Sequence, residues 1–466
     1  MIPRLLAGAA LLAVAGCTVG PNYHLPDKAA VNRAGAKGPL AKDNPVVATT
    51  DLPARWWHLY DDPVLDKLEE DALAANTELR MAAANLTRAQ AMTTAAKGAN
   101  EPEFSLEASA QRARLSGESY LLNQSIPVYN LDNSGAQISY QVDLFGRFRR
   151  GVEAAKADQQ ATEALVGAAK VTVAAEVARA YVEVCGAHEY SKIVDQQVEV
   201  QEKLLDIHRR MLAEGKGSAL EISLAEARLK EAKARLPLDE IHARAALYRL
   251  AFLLGRTPSE YPREAESCEH LPVLTRPLPV GDGAALLARR PDVRAAEREL
   301  ASATAQIGVA IADLYPQVGF AASGGTTGFI KDIAAAAASR WGVGALVNWN
   351  FPTTGARMKV RVARIDADRA LVRFDGTVLT ALRETETAAN TYAQNHDRLL
   401  LLAEARKATE ESADQIHRLK LAGRAPAQAN LGGQDAVLTA RAREQDTREA
   451  VAQDQVTLFL ALGGGW

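Results

Sequence analysis

Ala136-Gln137-Ile138-Ser139-Tyr140-Gln141-Val142-Asp143-Leu144 alternates without a break, apolar or small at every even position and polar at every odd one. That period of two marks a strand with one greasy and one wet face. Three other segments repeat the pattern. Phe104, Leu106, Ala108 and Ala110 alternate with Ser105, Glu107, Ser109 and Gln111, and Val318, Phe320 and Ala322 with Gln317, Gly319 and Ser323. Trp341, Val343, Ala345, Val347 and Trp349 stand against Gly342, Gly344, Asn348 and Asn350. A single such segment fits an ordinary antiparallel sheet on a soluble core. Four of them, each close to the roughly nine to eleven residues of a tilted membrane strand, point to lipid instead.

Four strands cannot close a barrel, and an open sheet edge in lipid leaves backbone groups unpaired at several kcal/mol each. The expected wall is therefore built from several chains. Two would supply about eight strands, whose interior side chains fill, whereas three supply about twelve and leave a lumen.

After each strand pair the pattern turns helical. No proline falls between Pro127 and Pro237 or between Pro352 and Pro426, and both intervals are dense in Ala, Glu, Gln, Lys, Arg and Leu. The tract from Arg147 to Leu212 would extend on the order of 100 Å. Val194, Val198, Leu205 and Leu212, and likewise Leu402, Thr409 and Ile416, fall on heptad-compatible spacings that predict paired helices. Breaks at Gly215 to Gly217 and at Gly423 turn each tract back into a second helix, from about Ser218 to Leu254 and from about Asn430 to Leu462. Ala174, Ala175, Ala178, Ala180, Ala388 and Ala389 would let backbones approach closely.

The chain is written twice. Thr77-Glu78-Leu79-Arg80 through Pro102 lines up with Pro291-Asp292-Val293-Arg294 through Pro316, about 214 positions later, and Ala178 to Tyr181 with Ala389 to Tyr392 at a slightly smaller offset. Ahead of both copies, Arg4 and an apolar run from Leu5 to Val14 read as a secretory signal. It ends in Val14-Ala15-Gly16-Cys17, which resembles a bacterial lipobox in which Cys17 is acylated. Residues from about Val19 to Leu52, rich in Pro, Gly, Ala and Asn, read as an extended surface tether.

Taken in order, Cys17-Thr18-Val19-Gly20-Pro21-Asn22-Tyr23, Trp56-Trp57 with Asp62-Pro63, Asp143-Leu144-Phe145-Gly146-Arg147, Arg290-Pro291-Asp292-Val293-Arg294-Ala295-Ala296-Glu297, Ile307-Gly308-Val309-Ala310 and the terminal Ala461-Leu462-Gly463-Gly464-Gly465-Trp466 resemble the outer-membrane factor family. These are TolC-like and NodT-like lipoproteins, the exit ducts of tripartite efflux systems. The resemblance implies a mainly α fold with a transmembrane β part: a homotrimer with a 12-stranded barrel in the outer membrane of a Gram-negative bacterium, and a periplasmic α-barrel. Implied partners are a periplasmic membrane-fusion adaptor, an inner-membrane pump of the resistance-nodulation-division type, and outer-membrane lipid. Thr18 after the cysteine implies outer-membrane sorting, with diacylglycerol and palmitate on Cys17. The expected organisation is a signal peptide over 1–16, a lipidated tether over 17–52 and a first repeat over 53–254, with strands 103–111 and 136–144 and hairpin 147–254. An equatorial connector over 255–285 leads to a second repeat over 286–462, with strands 317–324 and 341–351 and hairpin 355–462, and then a tail over 463–466. The same architecture serves a type I protein or peptide secretion duct, and a non-channel helical periplasmic lipoprotein is the other alternative.

Composition points to no nucleic-acid partner, with 54 basic against 57 acidic side chains. No HExxH, Walker loop, nucleophile elbow or CxxC occurs, so neither catalysis nor a cofactor or metal site is expected. Cys185 and Cys268 are free to pair in an oxidising compartment, but spacing alone leaves that open. If the hairpins form a tube, its tips must constrict when idle. The candidate tip residues are Glu214, Lys216 and Glu221 in the first repeat and Arg424, Gln428, Gln434 and Asp435 in the second. Here the chain departs from the family's usual Tyr-Leu-Glu-Val-Leu-Asp-Ala-Gln-Arg: Gly432 stands at an acidic position, and each of Gly432 and Gly433 is expected to weaken the helix by about 1 kcal/mol.

Overall fold

The computed structural model describes residues 18 to 464, apart from 42, 43, 49, 51, 117, 119, 120, 122, 269 and 275. Cys17 lies outside the described residues. Four strands form one antiparallel sheet in chain order: β1 (Glu103–Arg114), β2 (Val128–Val142), β3 (Gln317–Phe329) and β4 (Ser339–Asn348). Among the described residues seven helices longer than eight residues accompany them: α1 (Pro63–Ala75), α2 (Thr77–Gly98), α3 (Arg147–Ala213), α4 (Ala219–Leu253), α5 (Pro291–Ala312), α6 (Thr354–Leu421) and α7 (Ala427–Ala461). The duplication reappears in these bounds. Helices α2 and α5 are 22 residues each and 214 positions apart at both ends (77 to 291, 98 to 312), and α4 and α7 are 35 residues each and 208 apart (219 to 427, 253 to 461).

Several boundaries differ from the sequence reading. Strand β1 continues to Arg114, β3 to Phe329, and β2 begins at Val128 instead of residue 136. The added part of β2 carries Asp132, Asn133, Ser134 and Gly135, which obscure the alternation, yet the backbone ladder pairs them on both sides. Strand β4 stops at Asn348; Trp349 lies beyond it and donates its indole N–H to the Leu314 carbonyl at 3.1 Å. Helix α7 starts at Ala427, three residues before Asn430.

The chain divides into two compact units, each taking three segments from both repeats, so a repeat is not a domain. The reason is the sheet: each copy supplies only two strands, and a two-stranded ribbon is marginal alone.

The first unit comprises residues up to 26, 86–162 and 296–374. At the foot of the sheet three sequence motifs meet. Asp143 caps α3, accepting from the Phe148 and Arg149 backbone N–H groups at 3.3 and 3.1 Å. Gly146 turns left-handed at φ 77°, and a Cβ there would stand 2.7 Å from Thr18. Arg150, 3% exposed, donates to the carbonyls of Val19 and Gly20 at 3.1 Å each and to Asn22 Oδ1 at 2.8 Å. Gly20, at φ 89°, lies against Gly308 of α5 so closely that a Cβ would stand 2.5 Å from its Cα. Tyr23 donates to Glu297 at 3.1 Å.

The second unit comprises 27–85, 163–295 and 375–466. Its centre is aromatic, with Trp56 stacked on Phe459 at 4.5 Å and Tyr60 edge-on to Phe459 at 6.4 Å, among Leu65, Leu68, Leu247, Leu250 and Leu458. Asp62 caps α1 through the Val64 and Leu65 N–H groups and accepts the Tyr181 hydroxyl at 2.9 Å, which accounts for the Asp-Pro following the paired tryptophans. Arg290 binds the Ala461 carbonyl at 2.8 Å, Asp292 at 2.7 Å and Glu384 at 3.0 Å, tying the start of α5 to the end of α7. The described residues between 27 and 52 are not a loose tether. Ala29, Ala30, Ala36 and Leu40 are buried, Val47–Ala48 pairs in parallel with Leu278–Pro279, and the Ala30 N–H donates to Asp375 at 2.7 Å. Their small side chains, read as linker composition, serve close packing. Cys185 of α3 and Cys268 form a disulfide across 83 positions, with Cα atoms 5.3 Å apart.

Glu69 of α1 is fully buried, and neither carboxylate oxygen has a partner among the described residues. Burial, with Asp66 second, pushes it well above the usual carboxylate range. The folded chain therefore keeps a proton that the unfolded chain releases above about pH 4.5, and stability is lost as pH rises toward the folded pKa by up to about 1.4 kcal/mol per pH unit. Glu69→Gln is expected to raise the melting temperature at pH 8 and to leave it nearly unchanged at pH 4. An equal effect at both pH values in circular-dichroism melts would contradict this.

Candidate functional site: sheet wall and hairpin tips

The register places the four alternating patterns in phase. Phe104 faces Ile138, Ile138 faces Ala322, and Ala322 faces Val343; the neighbouring row is Ser105, Gln137, Ser323 and Gly342. Since opposed residues share a face, one side of the sheet is apolar across all four strands in the rungs running from Phe104–Leu106 through 136–142 and 318–324 to Trp341–Val347, and the other is small and polar apart from Leu346. Toward the other end of the strands Asp132, Ser134 and Thr326 fall on the apolar side and Tyr129, Leu131 and Phe329 on the polar one. On the apolar side Trp341, Val343 and Leu106 are 84, 78 and 76% exposed, so nothing among the described residues covers them. The polar side carries its own bonds: Arg340 donates to Thr327 at 2.8 Å and to Asn133 at 3.0 Å, and Gln141 to Gln317 at 3.2 Å. The outer edges of β1 and β4 pair with no strand among the described residues.

Two helices present uncovered stripes as well. Met358, Val362, Ile365 and Val372 of α6 follow heptad steps and are exposed, as are Leu238, Ile241, Tyr248 and Phe252 of α4. The seam residues predicted on α3 divide: Val194 and Leu205 are buried, Val198 is half-buried and Leu212 is exposed.

Both hairpin turns have one design. Gly215 and Gly423 take φ of 74° and 70°; the next residue's N–H, on Lys216 or Arg424, reaches back at 2.8 Å to the Met211 or Leu419 carbonyl. These are Schellman closures, in which glycine accepts the left-handed turn. The candidate tip residues then separate by role. Glu221 is a helix cap: its carboxylate accepts the Ser218 N–H at 2.9 Å, while its own N–H donates to Ser218 Oγ at 3.3 Å. Glu214 and Lys216 pair with each other at 3.0 Å on the surface. Arg424 and Gln434 are exposed. Asp435 and Gln428 reach the other repeat: Gln201 of α3 donates to Asp435 at 2.9 Å, and Gln428 meets His208 at 3.4 Å.

Beneath these polar contacts Val200, Leu204, Leu431 and Leu438 pack together, flanked by Ile193 and Ile207. This α3–α7 latch was missed in the sequence, although Leu431 and Leu438 stand one heptad apart. The glycines do not break α7. A Cβ at Gly433 would make ordinary contact with Ala413 and Ile416 of α6 at 3.4 to 3.5 Å, and Gly432 faces open space, so neither position requires glycine.

A sheet wall with one greasy and one hydrated face, duplicated and continued by helical hairpins, defines an outer-membrane channel. The chain belongs to the outer membrane efflux protein family, whose profile matches residues 68–256 and 284–464, one match per repeat. It is 25% identical to Nodulation protein T of Rhizobium leguminosarum bv. viciae over 99% of this chain and 94% of that one. It is likewise 25% identical to the toluene efflux pump outer membrane protein TtgC of Pseudomonas putida, over 97% and 93%. Among solved structures the outer-membrane channel OprN matches with a TM-score of 0.87 and 32% identity, over 97% of this chain and all of that one.

Removing the carboxylate of the latch should loosen α7 from α3 by about 1.5 to 3 kcal/mol, as for a hydrogen bond to a charged group. Asp435→Ala is expected to raise resting single-channel conductance, and Glu221→Ala to lower helix stability without opening the channel. The opposite ranking would reassign the gate to the turn.

Proposed function

We propose that this chain is the exit duct of a tripartite efflux system, working as a homotrimer whose three sheets close into one barrel. The observation that carries the reading is the four-stranded sheet with opposite faces of opposite polarity and two unpaired edges. Such edges are stable in lipid only when another copy pairs them, and three copies make the smallest barrel of this kind with an aqueous interior. The exposed heptad stripe of α6 supports the same association, since nothing among the described residues covers it. The two relatives described above carry names from nodulation and from toluene efflux, so shared architecture goes with different biological settings. Selection then belongs to an inner-membrane pump, with the resistance-nodulation-division type as the expected class, joined through a periplasmic adaptor. The duct itself carries out no chemistry and takes its energy from that pump.

Gating follows from the latch. The idle tube is held by Gln201–Asp435, His208–Gln428 and the apolar cluster beneath them, and an adaptor that binds the released state better moves the second-repeat hairpin outward. Symmetry triples each tip charge into a ring. The acyl anchor at Cys17 is part of the reading. The Arg150 socket supports it by fixing Thr18 to Tyr23 beside Gly146, four residues past the end of β2, which holds the start of the mature chain at the foot of the membrane sheet.

Purified full-length protein in planar bilayers should conduct ions and take up radioactive palmitate in cells, with Cys17→Ser conducting but unlabelled. Absence of conductance would favour the non-channel lipoprotein, and equal labelling of Cys17→Ser would remove the anchor.

A further inference from the structure

A cavity of about 600 Å³ opens between α3, α4 and α7, lined by Glu183, Tyr190, Asp239, His242, Asp446 and Glu449 among others. It adjoins Pro237, which cannot donate a backbone hydrogen bond within α4, so that helix is locally weakened beside the cavity. Glu449 of α7 lies across Gly186 of α3 so closely that a Cβ there would stand 2.5 Å from its carboxylate oxygen. The carboxylate has no hydrogen-bond partner and no paired cation among the described residues, although charged groups surround it.

From α3, Glu183 is taken by Arg249 of α4 in a two-pronged pair at 3.0 and 2.7 Å, while Tyr190 and Asp195 lie further along. From α4, Arg235 is shared among Tyr190, Asp239 and Asp446, and His242 faces Asp239. Arg398 of α6 faces Asp446, the near neighbour of Glu449 on α7 itself. Every cation in reach thus serves another acid.

We propose that Glu449 is a proton-operated wedge between the two repeats: neutral, it lies flat on Gly186 and lets α7 close on α3; ionised, it draws water into the cavity, parts the helices and favours the open channel. Burial first, then Glu183 and Asp446, push its carboxyl up to about 7, above the ordinary 4.5. The raised value means the packed state prefers the protonated form, so the contact is fully held below about pH 4.5 and given up as pH rises through about 7. Leverage comes from position. Gly186 and Glu449 stand 15 and 14 residues from Gln201 and Asp435, about 21 Å along the same helix pair, so wedge and latch clamp α3 against α7 at two heights.

This inference rests on the duct reading, and single-channel recording of the full-length protein from pH 5.5 to 8.5 tests both. Open probability is expected to rise about tenfold between pH 6 and pH 8. Glu449→Gln should flatten the profile at its acid level. Asp446→Asn should move the midpoint to lower pH by removing a like charge, and Gly186→Ala, which displaces the carboxyl, should hold the channel open at every pH. A flat wild-type profile, or one that Glu449→Gln leaves intact, would overturn the wedge while the duct stands. Silence at all pH values would overturn both.

Discussion

Backbone hydrogen bonding at the sheet edges governs this molecule. Inside the sheet every strand is paired with its neighbours, but the outer edges of β1 and β4 offer rows of N–H and C=O groups with no strand among the described residues to meet them. In water such edges invite aggregation; in hydrocarbon they are not tolerated at all. A single copy is therefore an incomplete object. The lack of cover on the apolar face and the uncovered stripe of α6 follow from the same fact, since surfaces meant for lipid or for a second copy are not buried by the first.

The second constraint is at the foot of the sheet, where strand becomes helix. Arg150, Gly146, Gly20 and Gly308 converge there with Asp143, and the glycines are needed because the backbones nearly touch. This explains why short motifs from three distant parts of the chain, around residues 18–23, 143–147 and 307–310, accompany one another: they are one socket. A comparable knot joins Arg290, Asp292, Glu384 and the carbonyl of Ala461 in the other unit, where the start of one helix meets the end of another. The Cys185–Cys268 bridge acts on a larger scale, fastening the connector to α3. Closing a loop of that length removes about 4.5 kcal/mol of freedom from the unfolded chain in the chain-entropy account.

What could be read from the sequence is what is local and periodic. The alternation in 104–110, 136–142 and 318–322 gives the face of each strand because side-chain direction repeats every two residues, and the proline-free tracts give the helices. The start of β2 was not legible, because Asp132 to Gly135 are held by the ladder and not by alternation; Asp132 is buried and accepts the Thr326 hydroxyl at 2.8 Å. The packing around Ala29, Ala30, Ala36 and Leu40 was misread because alanines that look like linker act as core. At the tips, composition found Asp435 and Gln428 but not Gln201 or His208, whose importance arises only when a helix some 220 positions away lies against them. Glu221 was legible as a polar tip residue, though its task is to cap α4.

The most direct test of the closed wall is cysteine pairing across its seam. Within one chain β1 and β4 are separated by β2 and β3, roughly 14 Å at the usual strand spacing and too far for a disulfide. A cysteine at Ser105, combined in turn with cysteines along Arg340 to Val347 and oxidised in membranes, should therefore link only different copies. The account predicts covalent trimers on non-reducing gels at alternate β4 positions, those sharing the face of Ser105. Monomers at every position would mean that the sheet edges never meet, and that no barrel is formed.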